Sequence, residues 1–366
     1  MSGRTVTVLR QRIHLIDFVV LSGYIMLMLQ RPMRTTLIAA GVLIAGCAGF
    51  TIYWFSAAAE IRGGIDRWAE DRRAKGWTVE LGEPSITGFP FRLDLFLQTP
   101  VLAGPGNQWR WEMPNARATA RPWALTDIEM SFPGVHTLTT KKQPFALMLS
   151  GADGELKIRS GNPQLLLVRL AGVDWVEPGG VRAQIDTLSI RLEEGASVDR
   201  ESANGKTGLG IAIDARKVIL PDAWKPPLGT GLNRLSVDAV AIGPFEPRGT
   251  LPAALARWRD AGGALEVRAF ALDWESLSLR GDGTFALDEN LQPQGAMAAE
   301  IDGVEKTSDA LIAAGVIDAR TAFAAKVANR ALSFGGGPAR LPVSIQRQRL
   351  YLGPVPLFRL KPVRWE

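Results

Sequence analysis

The sequence predicts a mostly β body of the α+β class behind an N-terminal transmembrane helix: an extended, curved antiparallel sheet with a few helices. Three observations predict it. No charged residue occurs between Thr35 and Ala59, and Arg31 and Arg34 precede that run; about 20 apolar residues are enough for a helix to cross a bilayer. After Gly76 the apolar residues recur at every second position, the period of a strand with one face covered. Strand-like stretches then follow one another with helices only inserted between them, which is not the pattern of a βαβ enzyme fold.

The chain has 366 residues, of which 46% are hydrophobic and 22% charged, an ordinary composition for a globular protein with a packed core. Its formal charge is +5. Much of that excess sits before Met33, where Arg4, Arg10, Arg12 and Arg31 face only Asp17. The remainder is close to neutral and has no electrostatic footprint for a phosphate backbone, so no nucleic-acid partner is expected. Cys47 is the single cysteine and leaves the body without a disulfide, which is weak evidence about compartment.

Taken in order, residues 33–59 form the anchor. Arginines on the near side and the aromatic trio Tyr53, Trp54 and Phe55 on the far side give a positive-inside, aromatic-belt arrangement. It places the inner membrane around the helix, single-pass, and the body from Glu60 onward in the periplasm. A second reading is a lipoprotein signal: Ile44-Ala45-Gly46 precede Cys47, the small-residue context for lipid attachment at that cysteine. Apolar sequence continues past Cys47 to Phe55, where a lipoprotein would have a polar tether, and this length favours the anchor. Ile13–Gln30 is also apolar, but Asp17 interrupts it at a cost of about 3 kcal/mol mid-bilayer. Residues 1–32 therefore read as a mis-called extension, with the natural start at Met33.

Residues 60–76 read as an amphipathic juxtamembrane helix, with Ile61, Ile65, Trp68 and Arg72 on one face. Opposite charges stand four apart at Arg62/Asp66, Arg67/Asp71 and Asp71/Lys75, and Gly76 is a C-terminal stop. From 77 to 366 the β-rich domain begins. Phe91, Leu93, Leu95 and Leu97 alternate with polar residues, as do Leu188, Ile190 and Leu192, then Leu209, Ile211 and Ile213, then Leu277 and Leu279. Leu165–Val168 is continuously apolar and reads as a central strand. Turns are expected at Gly104-Pro105-Gly106, Gly151–Gly154, Pro178-Gly179-Gly180 and Gly281-Asp282-Gly283. Helices are expected at Leu251–Ala261, Val304–Ala314 and Asp318–Leu332. A break at Gly335–Pro338 and a hairpin of Leu341–Gln346 with Leu350–Leu352 complete the chain.

Much chemistry lacks its residues. A Ser-His-Asp or Cys-His constellation needs a histidine base, and the body has only His136, in Phe132-Pro133-Gly134-Val135-His136, which reads as a turn with a surface histidine. No His, Cys and carboxylate cluster stands at zinc spacing, and no phosphate-binding glycine loop is present, so no metal or cofactor is expected. Asp273 with Glu275 and Glu193 with Glu194 are the nearest carboxylate pairs; Glu193 and Glu194, as strand neighbours, point to opposite faces, and neither pair is expected to converge on a substrate. No catalytic residue is assigned and the chain reads as a non-enzyme. Trp109, Trp111 and Trp123 are the candidate lining for an apolar ligand. Trp109 and Trp111 stand two apart on one strand face. Sheet core is the plainer account, since aromatics favour strands.

Four stretches together resemble the uncharacterised bacterial family known as domain of unknown function 2125. They are Trp68–Trp77, Gly88-Phe89-Pro90-Phe91-Arg92-Leu93-Asp94-Leu95, Leu279–Asp288 with Gln292-Pro293-Gln294-Gly295, and Leu350–Leu357. The resemblance runs from Met33 to the C-terminus and implies a membrane-anchored envelope protein, with no catalytic residues to carry over. The layout is similar, more loosely, to AsmA-type envelope proteins, which join one span to a long lipid-holding β-sheet. Two roles follow as expectations: binding a lipid or other amphiphile on an apolar sheet face, or acting as a scaffold that docks a protein partner on sheet edges or on the helical pair.

Overall fold

The computed structural model describes residues 5–141, 146–177, 179–198, 207–246, 248–332 and 340–365, with backbone alone for 5–35 and 331–332. The predicted break at Gly335–Pro338 lies outside the described residues. The chain divides into two units, Met1–Gly64 and Ile65–Glu366.

Helix α1 runs from Thr5 to Ala74 without interruption, so the predicted anchor and the predicted juxtamembrane helix lie on one continuous helix. Its stretch from Thr36 onward has a mean hydropathy of 1.9 in its most apolar window, long and apolar enough to cross a membrane. Leu37, Ile38, Val42, Leu43, Ile44 and Ile52 are all exposed, as expected of side chains meant for lipid. At the other end of α1 the sequence reading needs correction. Trp68 is exposed, and the residue buried against the body is Ala69, which packs with Val79 and Leu81 beside Ile65 and Trp77. Arg73 ties the helix end down by donating from Nε and a terminal nitrogen to the Val79 carbonyl, at 3.0 and 2.7 Å. Of the three predicted charge pairs, Asp71 and Lys75 meet at 2.7 Å.

The body is a single curved antiparallel sheet that does not close into a barrel. Among the described residues its eighteen strands are β1 Thr78–Glu80, β2 Ser85–Thr87, β3 Leu93–Gln98, β4 Val101–Ala103, β5 Trp109–Glu112, β6 Asn115–Arg121, β7 Ala124–Thr140, β8 Ala146–Arg159 and β9 Asn162–Val176, then β10 Arg182–Ser197, β11 Thr207–Ile219, β12 Gly231–Ile242, β13 Ala264–Trp274, β14 Leu277–Leu287, β15 Pro293–Asp302, β16 Arg340–Gln346, β17 Arg349–Leu352 and β18 Val355–Arg359. From β6 onward each strand pairs with the next in sequence, a long meander. The run Leu165–Val168 lies in β9, between β8 and β10, as its apolar continuity predicts.

The sheet forks at β7. One edge of β7 pairs with β8; the other pairs with β6 up to Ser131 and with β5 from Thr137. The β6 branch continues to β3 and β2, the β5 branch to β4 and β1. The split falls at Pro133-Gly134, where the register against β8 shifts. Pro133 has no N–H to give a neighbour, and Gly134 takes φ 97°. This is where the predicted turn fails. Residues 132–136 are a bulge inside a 17-residue strand, and His136 is fully buried, not a surface histidine.

Two other predicted turns are also strand interior. Gly151–Gly154 lies within β8 and Gly281–Gly283 within β14. A Cβ on Gly154 would come within 2.9 Å of the Leu167 carbonyl and 3.2 Å of the Met130 methyl. Gly154, Gly281 and Gly283 make room for neighbouring chains and do not reverse the backbone.

Helix α2 (Leu251–Asp260) starts at Pro252 in its first turn and ends before Gly262. Helices α3 (Val304–Ala313) and α4 (Ala319–Leu332) form the expected pair, broken at Gly315 with φ 68°. They lie on the sheet against β14, β16 and β18. Under α4, Leu341 is fully buried with Ala325 and Leu352, flanked by Ile301, Val343 and Leu357. Asp318 stands ahead of α4 and accepts the Thr321 N–H at 2.7 Å. That bond, with the Thr321 hydroxyl next in weight, holds the Asp318 carboxyl below its ordinary value.

Two outcomes are expected. Leu341→Ala lowers the unfolding free energy of the body by about 2–5 kcal/mol with the denaturant slope unchanged; a loss well under 1 kcal/mol in urea titration contradicts the packing. Because folding favours the Asp318 carboxylate, its contribution is complete above the unfolded-state pKa and disappears as pH falls through the lowered folded-state value. Asp318→Asn, which keeps a capping oxygen without the titration, therefore loses less melting temperature than the parent between about pH 5 and pH 2. Parallel curves contradict this.

Candidate apolar ligand site

Residues directly opposite each other across an antiparallel ladder share a face, so the registers show what each face presents. One row runs Leu93, Ala120, Ile128, Leu156, Leu166, Leu192, Ile211, Ala239, Val267, Gly283, Met297, Val343, Leu352, Val355. It crosses fourteen strands without a polar side chain. The row beside it, from Met130 through Gly154, Val168, Ile190, Ile213, Val237, Phe270, Gly281 and Ala299 to Leu341, is equally apolar. So is a third, from Phe132 through Leu170, Leu188, Ala215, Leu235, Leu272 and Leu279 to Ile301.

The interleaved rows face the other way and are mostly polar, with Leu165, Leu167 and Val240 among their apolar members. One reads Ser131, Asp153, Arg169, Ser189, Asp214, Ser236, Ala271, Arg280, Glu300, Arg340. Ion pairs stitch this face across strands: Arg169 to Asp153 at 2.7 Å, Arg234 to Asp214 at 3.2 Å, Arg280 to Asp273 at 3.1 Å and Arg340 to Glu300 at 3.3 Å. Arg268 pairs with Asp238 and also donates to the Ser197 carbonyl at 2.7 Å.

The apolar face is covered unevenly. From β8 to β13 its larger side chains Leu166, Val168, Leu188, Ile190, Ile213 and Val237 stay half-buried, while Ala215, Ala239 and Val267 are buried. At one end of the strands α2 stands over a trough of about 880 Å³ lined by Leu209, Ile211, Leu265, Phe285, Leu255 and Trp258. The Trp258 ring, itself buried, is fixed by its Nε1–H, which donates to the Ile242 carbonyl at 2.9 Å. Toward the other end of β14, α3 and α4 close a cavity of about 280 Å³ against Leu272, Leu277, Leu279, Ile301 and Val343. Trough and cavity lie on the same face: Leu279, Gly281, Gly283 and Phe285 stand two apart on β14 with no register shift against β15. Six residues of strand separate Leu279 from Phe285, about 20 Å.

The predicted tryptophans are not brought together. Trp109 meets Trp77 edge-on with ring centres 5.3 Å apart, and the Arg72 guanidinium lies 5.4 Å from the Trp77 ring. Trp111 packs at the fork, 6.4 Å from Phe132 and 6.1 Å from His136. Trp123 is exposed at the β6–β7 turn beside Phe91, and Phe91 itself lies outside β3 and is exposed. His136 donates from Nε2 to the Phe132 carbonyl at 2.8 Å, and its Nδ1 has no partner among the described residues. Cys47 is exposed on α1, its carbonyl accepting the Thr51 hydroxyl at 2.8 Å.

The carboxylate pairs are each engaged structurally. Asp273 takes Arg280 and the Ser278 hydroxyl, the latter at 2.7 Å. Glu275 accepts the Gly231 N–H at 2.9 Å. Glu193 holds Arg191 at 2.7 Å, and Glu194 accepts from Gln164 at 2.7 Å. Among the described residues no three His, Cys, Asp or Glu side chains gather as metal ligands would.

The residues that the sequence reading missed line the cavity. Val304, Thr307, Ser308 and Leu311 recur at helical spacing along the buried side of α3, and two hydroxyls inside that apolar stripe are the signal that was available. No curated protein and no solved structure matches the chain, and the AsmA-type likeness rests on layout alone. A family model does match, over residues 54–361, and its description is "uncharacterized protein conserved in bacteria (DUF2125)"; the chain belongs to that family.

Proposed function

We propose that this is a non-catalytic, membrane-anchored envelope protein whose body holds a lipid or other amphiphile on the apolar face of its sheet. The observation that carries the reading is the half-buried stretch of that face between β8 and β13. A soluble domain seldom leaves a contiguous apolar patch of that kind without a partner to cover it. The 880 Å³ trough at its margin supports the same reading, being within the size of small-molecule sites. The apolar stretch of α1 supports an occupant drawn from the membrane, with α1 crossing the inner membrane once and the body in the periplasm.

Phe323 and Val327, one turn apart and exposed on α4, favour a second reading, a scaffold that docks a protein partner on the helical pair.

Native mass spectrometry of the full-length protein is expected to show retained lipid mass, and Ile190→Glu with Ile213→Glu, which puts two carboxylates on the uncovered face, is expected to lose most of it. Equal retention by parent and double variant sinks the ligand reading and leaves the scaffold. For topology, alkaline phosphatase fused after Glu366 is expected to be active in intact cells. A fusion silent there, paired with a C-terminal reporter that works only in the cytosol, reverses the orientation.

A further inference from the structure

We infer that the tip formed by the β2–β3 loop and the β6–β7 turn docks on the surface of the bilayer that anchors α1, seating Phe91 and Trp123 among the lipid headgroups. Docking of this kind rests on the membrane-anchored reading above and not on a bound amphiphile. Pairing of β3 with β6, with Leu93 opposite Ala120, brings residues 88–92 and 121–125 to one end of their strands. Phe91 and Trp123, 68% and 63% exposed, stand there over one groove with Arg92 and Arg121.

The frame beneath the two rings is braced. Leu93 and Pro122, beside them in the chain, are buried. The Arg92 N–H donates to the Gly88 carbonyl at 2.9 Å, and Asp94 accepts the Thr119 hydroxyl at 2.8 Å across the β3–β6 ladder. Gly88 takes φ 100°, and a Cβ there would come within 2.7 Å of the Asp94 carboxylate. A tight tip thus holds two large apolar side chains outward, while the residues next to them supply the core. Exposed apolar groups gathered in this way mark an interaction site.

Charge and direction select a bilayer as the partner. Residues 88–92 and 121–125 carry two arginines and no acidic residue; Arg92 reaches Asp94 at 3.5 Å and stays exposed. Guanidinium groups beside aromatic rings suit phosphate headgroups over an apolar boundary. The chain doubles back after α1: the Trp77 N–H donates to the Arg72 carbonyl at 3.1 Å, Arg73 holds the Val79 carbonyl, and Val79 and Leu81 pack on Ala69 beside Ile65. So β1 returns along the last turns of α1. The ten residues from Thr78 to Gly88 span about 30 Å of strand, whereas Ala74 to Ile65 spans about 14 Å of helix. The tip therefore projects past Ile65, on the N-terminal side of those turns. Because the same chain carries the anchor, contact with lipid is intramolecular, and two rings suffice where they would not hold a free protein.

The test uses the full-length chain in nanodiscs of phosphatidylcholine and phosphatidylglycerol, with a fluorophore on one cysteine at a time. That cysteine is the native Cys47, or Trp123→Cys or Trp224→Cys in a Cys47→Ala background. Trp224 is exposed in the β11–β12 connection, at the other end of the strands. The quencher is a phosphatidylcholine bearing a nitroxide at a shallow or a deep position of its acyl chain. Deep quenching is expected at position 47 and shallow quenching at 123, with neither at 224. Phe91→Asp is expected to cut quenching at 123 by about threefold or more, within the weight of one phenylalanine ring returned to water, and to leave position 47 unchanged. All the aromatics replaced are exposed. Quenching at 47 alone overturns the docking tip while the anchored reading stands. Equal quenching at 123 and 224, or quenching at 123 that Phe91→Asp does not change, overturns it as well. No quenching at 47 overturns both.

Discussion

Phase between neighbouring strands is the constraint on which the rest of this structure depends. A strand alternates its side chains with period two, so a slip of one residue anywhere would carry a whole apolar set to the polar side. Over fourteen strands the phase is kept. The β13 strand shows how closely. Its apolar residues read Leu265, Val267, then Phe270, Leu272 and Trp274, a jump of three in the middle. The register shifts at that jump, between Val267 and Phe270. The bulge absorbs the extra residue, returns Phe270 to the apolar face and directs Arg268 to Asp238 on the other.

Such alternation is directly legible in a sequence, which is why the architecture could be read from Leu188, Ile190 and Leu192 or from Leu209, Ile211 and Ile213. What was not legible has a common cause. Glycine and proline usually mark turns, yet Gly154, Gly281 and Gly283 sit inside strands because Met130 and Met297 crowd the positions a Cβ would take. Pro133-Gly134 likewise marks the point where one long strand changes partners, and no local rule separates that from a reversal. His136 was misplaced for the same reason. The cavity was hidden for another: Thr307 and Ser308 look like ordinary helix polars until tertiary packing places their side of α3 against the sheet. Of the predicted ligand lining, Trp109 and Trp111 turned out to be occupied with Trp77, Phe132 and His136.

Both helical covers sit on the apolar face, and their distribution is itself informative. The helical pair buries Leu341 completely, and α2 buries Trp258 over one end of β11–β14, while around Val168, Ile190 and Ile213, farther along the strands, the face stays half-buried. Each half-buried aliphatic chain there forgoes on the order of 1 kcal/mol of transfer free energy. A fold that possesses helices able to cover such a face, and places them only at its margins, keeps the middle accessible at a cost in stability. On the amphiphile reading proposed above, that cost is recovered when the ligand takes the helices' place, and the apolar stretch of α1 would keep the body beside a source of amphiphiles.

Alternation by itself does not fix the register completely. A slip of two residues restores every apolar side chain to the correct face, so the three apolar rows cannot forbid it. The pairings that do so are individual. Asp153 stands opposite Arg169, and Glu300 opposite Arg340. Gly281 lies between Phe270 and Ala299, and Gly283 between Val267 and Met297. An exposed ion pair adds only about 0.2–1 kcal/mol. In a meander, however, a slip in one ladder must be followed by every strand beyond it or be absorbed at a turn. Modest pairings repeated along the polar face, with glycines that admit only particular neighbours on the apolar one, therefore act together. They select a single register and with it the alignment of trough, uncovered face and cavity along one surface.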